Sequence, residues 1–205
     1  MTDQISLTAA ELAFLLSVGD TVGDSPAAGL FGFTPDDRTD MMLGAGLGSL
    51  LLRHLAVPAD DQQIQLGPVV AAIAQGIGRP DVCVQVGMSA EGGTDGVVLF
   101  EAGQVRFVVA RRAYRCFDIA ALDATTDRHE ALVELAREFV ERHGGGSAAF
   151  STVRRDRWED HGTVTLSKEG QWAFAPAGDP LAAVYGPTAE DAFARLTTSL
   201  TAVPA

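Results

Sequence analysis

VCVQVGMSAEGGTDGVVLFEAGQVRFVVARRAYRCFDI, running from Val82 to Ile119, decides the fold class. Val82, Val84, Val86 and Met88 alternate with Cys83, Gln85 and Gly87, the period-two pattern of a half-buried strand. Gly92-Gly93 predicts a turn, and GVVLF (Gly96–Phe100) reads as a strand buried on both faces. Glu101-Ala-Gly-Gln104 can close a hairpin into Val105–Ala110, where Val105, Phe107 and Val109 share one side. Tyr114–Ile119 supplies a fourth strand. Connections this short favour antiparallel neighbours, so the stretch predicts an antiparallel meander. Helical periodicity on both sides of it makes the class α+β.

Upstream, Thr8-Ala-Ala-Glu11 has the spacing of a capping box, and Leu12, Phe14, Leu15 and Leu16 follow before Gly19. A short helix is expected there, then a loop over residues 20–33. Thr34-Pro35 pairs an N-cap with proline at the first helical position, predicting a second helix to about His54. Gly44, Gly46 and Gly48 lie inside it. Three glycines ahead of a leucine run resemble a phosphate loop, but such a loop needs a strand before it. DDRTDMM is too polar for that strand, and Ser49 stands where the last glycine belongs. Small residues in a helix instead let a neighbouring backbone approach closely, which is the reading adopted. Pro58 and the polar residues Asp60–Gln63 read as a linker. A third helix over Pro68–Ile77 is expected to place Val69, Val70, Ile73 and Ile77 on one face.

Downstream, Leu132, Leu135, Phe139 and Val140 form a stripe on a helix from His129 to His143. Residues 144–160, rich in Gly, Ser and charge, read as a linker. Thr163–Leu166 and Trp172–Phe174 form a hairpin around Lys168-Glu169-Gly170. Thr188 caps a last helix bearing Ala192, Phe193, Leu196 and Leu200. The expectation is one α+β domain over residues 1–205: a helical part at about 7–78, a sheet at about 81–120, and a helix–hairpin–helix part at about 129–203. Val84, Phe107 and Leu135 are expected at the centre of its core.

A hydrophobic share of 47% against 20% charged residues suits a globular chain, and 205 residues need neither metal nor disulfide to fold. The net charge of −12 excludes more. Nucleic-acid affinity comes from cations that neutralise phosphates, and anionic membranes repel an acidic chain for the same reason. The start, MTDQISLTAAELAFLL, lacks a basic segment and places Asp3 and Glu11 around its apolar residues, so no signal peptide is expected. Cys83 and Cys116 sit in strand-like runs and read as buried free thiols. A cytoplasmic location follows from these readings.

No catalytic pattern is legible. HExxH, paired histidines at ligand spacing, GxSxG and a P-loop are all absent, so no metal, cofactor or catalytic residue is assigned. His54 and His143 end helices and His129 sits near a helix start, all common structural uses. His161 beside Glu159 and Asp160 reads as solvated linker rather than an acid–base cluster. Two arginine groups remain: Arg111, Arg112 and Arg115 between strands, and Arg154, Arg155 and Arg157 in the linker. They are either solvated turns or anchors for an acidic partner, since guanidinium pairs carboxylates bidentately. The margin of the meander, Arg106, Val108, Arg111 and Arg112, is the candidate partner-binding surface.

Several stretches together resemble the EspG family of ESX (type VII) secretion-associated chaperones of actinobacteria: ISLTAAELAFLL, LGSLLLRHLAV, GPVVAAIAQGIGRPDVCVQV, RFVVARRAYRCFDIAAL, and the terminal GTVTLSKEGQWAFAP with AEDAFARL. The resemblance implies a central twisted antiparallel sheet flanked by helical bundles. It also implies a cytosolic, non-catalytic protein that binds the helical tip of a PE–PPE-like secretion substrate and keeps it soluble. Two other readings stay open: an interaction protein of similar fold with an unrelated partner, and a winged-helix-like transcription regulator. The third helix, PVVAAIAQGI, has no basic face for the latter role.

Overall fold

The computed structural model describes residues 4–18, 26–59, 63–123, 125–154, 157–186 and 188–201. The fold is α+β, with eleven strands and six α-helices among them. The strands are β1 (Gln4–Thr8), β2 (Ala56–Pro58), β3 (Ile64–Leu66), β4 (Val82–Ala90), β5 (Gly93–Ala102), β6 (Val105–Arg112), β7 (Cys116–Ala121), β8 (Gly146–Arg154), β9 (Arg157–Leu166), β10 (Trp172–Pro176) and β11 (Val184–Gly186). The helices are α1 (Ala9–Val18), α2 (Pro26–Leu30), α3 (Asp40–Leu52), α4 (Pro68–Gly78), α5 (Arg128–Arg142) and α6 (Ala189–Thr201). Nine strands make one antiparallel sheet in the order β1-β7-β6-β5-β4-β8-β9-β10-β11, while β2 and β3 pair separately. The predicted meander is thus four adjacent strands. By contacts the chain divides into two compact units, Met1–Cys83 with Leu99–Ala124, and Val84–Val98 with Thr125–Ala205.

In the first unit, β1 pairs with β7 (Leu7 opposite Phe117) and β7 with β6 (Ile119 opposite Val109). The Thr8 capping box forms as read: the Thr8 amide donates to Glu11 at 2.8 Å, and the Glu11 amide donates to the Thr8 hydroxyl at 3.3 Å. The Glu11 side chain is fully buried and also accepts from Ser49 at 2.8 Å and Arg53 at 2.9 Å, which ties α1 to α3. The Arg53 guanidinium continues to the Ser6 carbonyl at 3.0 Å, on the terminal strand of the sheet. Those bonds hold the Glu11 carboxyl below its ordinary value although burial alone would raise it. Helix α1 packs on α3 and α4, and α4 packs on β6. Phe31, Phe33, Phe100 and Phe117 form an aromatic cluster, with ring centroids of successive pairs 5.1–6.0 Å apart.

The second helix begins later than its sequence suggests. Thr34 and Pro35 open only a 3-10 turn, Pro35–Arg38, and Thr39 caps α3 by accepting from the Met42 amide. The Thr34 signal is genuine but is consumed by the turn, where Asp37 returns a bond to the Thr34 amide at 2.8 Å. Pro26–Leu30, read as loop, is helical; residues 20–25 of that loop lie outside the described residues, as do Asp60–Gln62 of the predicted linker. Gly46 is buried where α3 meets α1: a Cβ there would lie 2.6 Å from the Ala10 carbonyl carbon, closer still to its oxygen. Close backbone approach explains that glycine.

In the second unit, α6 packs on β9, β10 and β11, and α5 on β8, β9 and α6. Trp172 meets Phe193 with centroids 5.7 Å apart. The stripe predicted for α5 is rotated: Leu132, Val133, Ala136, Phe139 and Val140 are buried, whereas Leu135 is 37% exposed. Val84 and Phe107 are core residues and Leu135 is not. The expected linker at 144–160 is mostly β8 and the start of β9. Glycine and serine masked a strand whose buried residues, Ala148, Phe150, Ser151, Thr152 and Val153, mix polar with apolar side chains and so lack a clean alternation.

Candidate functional site

Residues on β6 alternate between the two sheet faces. Phe107 and Val109 are buried on the face that α4 covers, where Gly76 sits so close to the Phe107 ring that a Cβ would come within 2.9 Å of it. Arg106, Val108 and Ala110 take the opposite face and are half-buried, and Arg112 on that face is exposed. The four residues singled out from sequence are therefore divided. Arg106, Val108 and Arg112 share a face, while Arg111 lies opposite Phe117 on the other, with its guanidinium near Gly32.

The cations on the shared face are engaged. Arg106 pairs with Glu101 at 3.3 Å. Arg112 pairs with Asp118 at 2.8 Å, and Ser6 donates to the same carboxylate. Arg112 first and Ser6 second hold the Asp118 carboxyl below its usual range. Beyond β6 the chain turns sharply: Tyr114 (φ 58°) and Arg115 (φ 55°) are left-handed without being glycine. Arg115 bonds Asp37, holding that carboxyl far below its ordinary value, and its guanidinium lies 5.6 Å over the Phe33 ring. Tyr114, expected inside a strand, is instead 99% exposed at this turn.

Where α4 crosses the start of β6, an apolar groove of about 410 Å³ opens. Val69, Ala72, Val105, Phe107 and Ile119 line it, with Gln104 and Arg106 among the polar lining groups. Val69, expected on the buried face of α4, is 46% exposed beside it, and Val105 is 39% exposed. The sequence gives no signal for this groove, because it joins residues about 35 positions apart through packing alone. A second groove of about 390 Å³ runs between α5 and α6 over Val133 and Phe193, edged by Glu130, Glu190, His129 and Arg137.

Other sequence candidates resolve as structure. Gly44–Gly48 lie mid-helix, preceded by a 3-10 turn and not a strand. His161 is not a solvated linker residue; it is 3% exposed on β9, 2.8 Å from the Thr152 hydroxyl, and burial lowers its pKa. His143 ends α5, and its Nδ1 lies 2.7 Å from the Phe139 carbonyl. Cys83 is buried, with its thiol pushed up to about 12 by desolvation, but Cys116 is only half-buried. Arg155 lies outside the described residues. Among the described residues, no group of three His, Cys, Asp or Glu side chains is placed to hold a metal ion, and no helix is long and apolar enough to cross a membrane.

No family model and no curated protein matches this chain by sequence. Its structure superposes on that of the Mycobacterium tuberculosis type VII secretion system chaperone EspG5, solved in complex with a PE25–PPE41 dimer, with a TM-score of 0.67 over 98% of this chain and 97% of that one. In fold, the chain is similar to EspG5. Sequence identity is 13%, so the likeness is one of architecture, and it spans nearly the full length of both proteins.

Proposed function

We infer that this protein is a non-catalytic binding chaperone or adaptor. Its role is to cover an apolar helical surface of a PE–PPE-like type VII secretion substrate and keep that substrate soluble in the cytoplasm. The observation that carries this reading is the near-complete fold likeness to the EspG5 chaperone. The groove between α4 and β6 adds physical support. Partially exposed Val69 and Val105 beside polar Gln104 and Arg106 form the apolar centre and polar rim of a helix-in-groove site. Of the four residues singled out from sequence, only Arg106 lines this groove; Val108 and Arg112 lie on the opposite face of β6, and Arg111 lies farther along the groove's own face, outside its lining.

Co-expression with PE–PPE pairs from the same genome, followed by size-exclusion chromatography, tests the reading. A stoichiometric complex is expected with at least one pair. Val69→Glu places a charge at the groove mouth on a side chain exposed enough to tolerate it. It should weaken the complex by about tenfold or more, the loss typical of a central apolar contact. Failure of every pair to co-purify, together with turnover in a hydrolase and transferase screen, would discard the chaperone reading. An intact complex with Val69→Glu would move the site elsewhere.

A further inference from the structure

Helix α3 departs from the pattern of a surface helix, whose outer side is ordinarily polar. Between Met41 and Leu52 the one hydroxyl, amide or charged side chain is Ser49, and it turns inward to donate to Glu11 at 2.8 Å. Gly46 and Leu50 are buried on that inner side. The outer side, at i, i+4, i+7 and i+11, presents Met41, Ala45, Gly48 and Leu52. Met41 is 86% and Leu52 84% exposed, and Cβ atoms built at Gly44 or Gly48 would meet nothing within 4 Å. A chain with net charge −12 thus keeps an uncharged apolar strip about 17 Å long open to solvent.

The strip is self-complementary when reversed. Met41 and Leu52, Ala45 and Gly48, and Asp40 and Arg53 each sit equally far from the midpoint between Gly46 and Leu47. Charge follows the same symmetry, since exposed Asp40 begins the helix and Arg53, whose guanidinium is 40% exposed while it bonds Glu11, ends it. We propose that this face is a self-association surface on which a second copy of the chain lays its own α3 antiparallel. Met41 of one copy then covers Leu52 of the other, at both ends. Ala45 meets Gly48 at the centre, where small side chains permit close approach. Asp40 approaches the Arg53–His54 end of the second copy, and the two helix dipoles oppose. The remaining surface repels at −12 per copy, so the contact is favoured where it is neutral and strengthens as salt screens the repulsion. A charged heterologous partner shows the opposite salt dependence. This inference is independent of the chaperone reading.

Sedimentation velocity on the full chain, across a micromolar concentration series at low and high salt, is the test. A monomer–dimer equilibrium is expected, with more dimer at high salt. Gly48→Glu should raise the dimer dissociation constant about tenfold or more without lowering the melting temperature, because its side chain meets open space and glutamate is the better helix former. In a Cys116→Ser background, mixing Met41→Cys with Leu52→Cys protein should give a mixed cross-link in preference to either like pair. A wild-type chain that stays monomeric throughout, a Gly48→Glu dimer as tight as wild type, or dominant Met41→Cys like-pair cross-links would each overturn the proposal.

Discussion

Replacing Gly46 with alanine separates the two uses a glycine can have in this helix. The substitution removes a poor helix former, which by itself stabilises by about 1 kcal/mol. Against this stands the obstacle: the new Cβ lies 2.6 Å from the Ala10 carbonyl carbon and 3.1 Å from the Glu11 amide nitrogen. Both are main-chain atoms of α1, so no rotamer change relieves the overlap and the helices must part. Overpacking costs about 1–3 kcal/mol, and a rigid obstacle places this case near the upper end. Parting them also strains the bonds from Thr8, Ser49 and Arg53 to buried Glu11. The net effect is a loss of about 2 kcal/mol. Gly48→Ala meets open space and should gain about 1 kcal/mol, leaving a gap of about 3 kcal/mol between two variants of identical chemistry. For a chain of this size the gap corresponds to about 6–12 °C in melting temperature. Urea titrations followed by far-UV circular dichroism measure it directly. A Gly46→Ala protein as stable as Gly48→Ala would refute the packing account of Gly46. Micromolar nucleotide binding lost in Gly46→Ala would revive the phosphate-loop alternative.

Phe107→Ala should destabilise by about 3–5 kcal/mol, since its buried ring supports α4 at Gly76; a loss below about 1 kcal/mol would show that it lies outside the core. Burial lowers the His161 pKa, so the unfolded chain takes up that proton more readily. Its contribution to stability is therefore complete above about pH 6.5 and is lost as pH falls from there through the folded value. Melting temperatures between neutral and mildly acidic pH should fall more steeply in wild type than in His161→Gln; parallel curves would contradict this. The carboxylates Glu11, Asp37 and Asp118, all lowered, contribute in a separate window that closes only as pH drops below about 4. Tyr114→Asn should stabilise by about 0.5–1 kcal/mol, because asparagine adopts the left-handed region more readily and the tyrosine ring makes little contact to lose. A less stable variant in denaturant melts would count against strain at that turn.

Legibility tracked the strength of local signals. The meander was readable because its strands alternate, valine is frequent in the first three of them, and its first two turns carry glycine. The Thr8 box and the apolar stripe of α6 were readable for the same reason: each is complete within a few residues. Strand β8 was not, since Gly146-Ser-Ala-Ala looks like a linker until β9 and β4 supply the ladder that makes it a strand. β1 was obscured by brevity, five residues running straight into a capping box. Leu135 failed because two stripes one residue apart were both plausible on α5, and packing against β8 and β9 selected the one containing Ala136. At the candidate site, the alternation that separates Arg111 from Arg106 and Arg112 was implicit in the strand reading. The groove at Val69 and Val105 depends on where α4 lands and has no trace in sequence.

The arginine and glutamate that fasten α1 to α3 also act on the sheet's first strand. Outermost strands expose main-chain amides and carbonyls that invite a stranger's strand to extend the ladder, the usual route to aggregation. On β1 the Arg53 guanidinium occupies the Ser6 carbonyl and the Glu11 carboxylate occupies the Thr8 amide. Two of the hooks an incoming strand would grasp are taken by side chains that serve the helices. The pair that locks the helices together thereby also keeps the sheet from being extended by the strand of another chain.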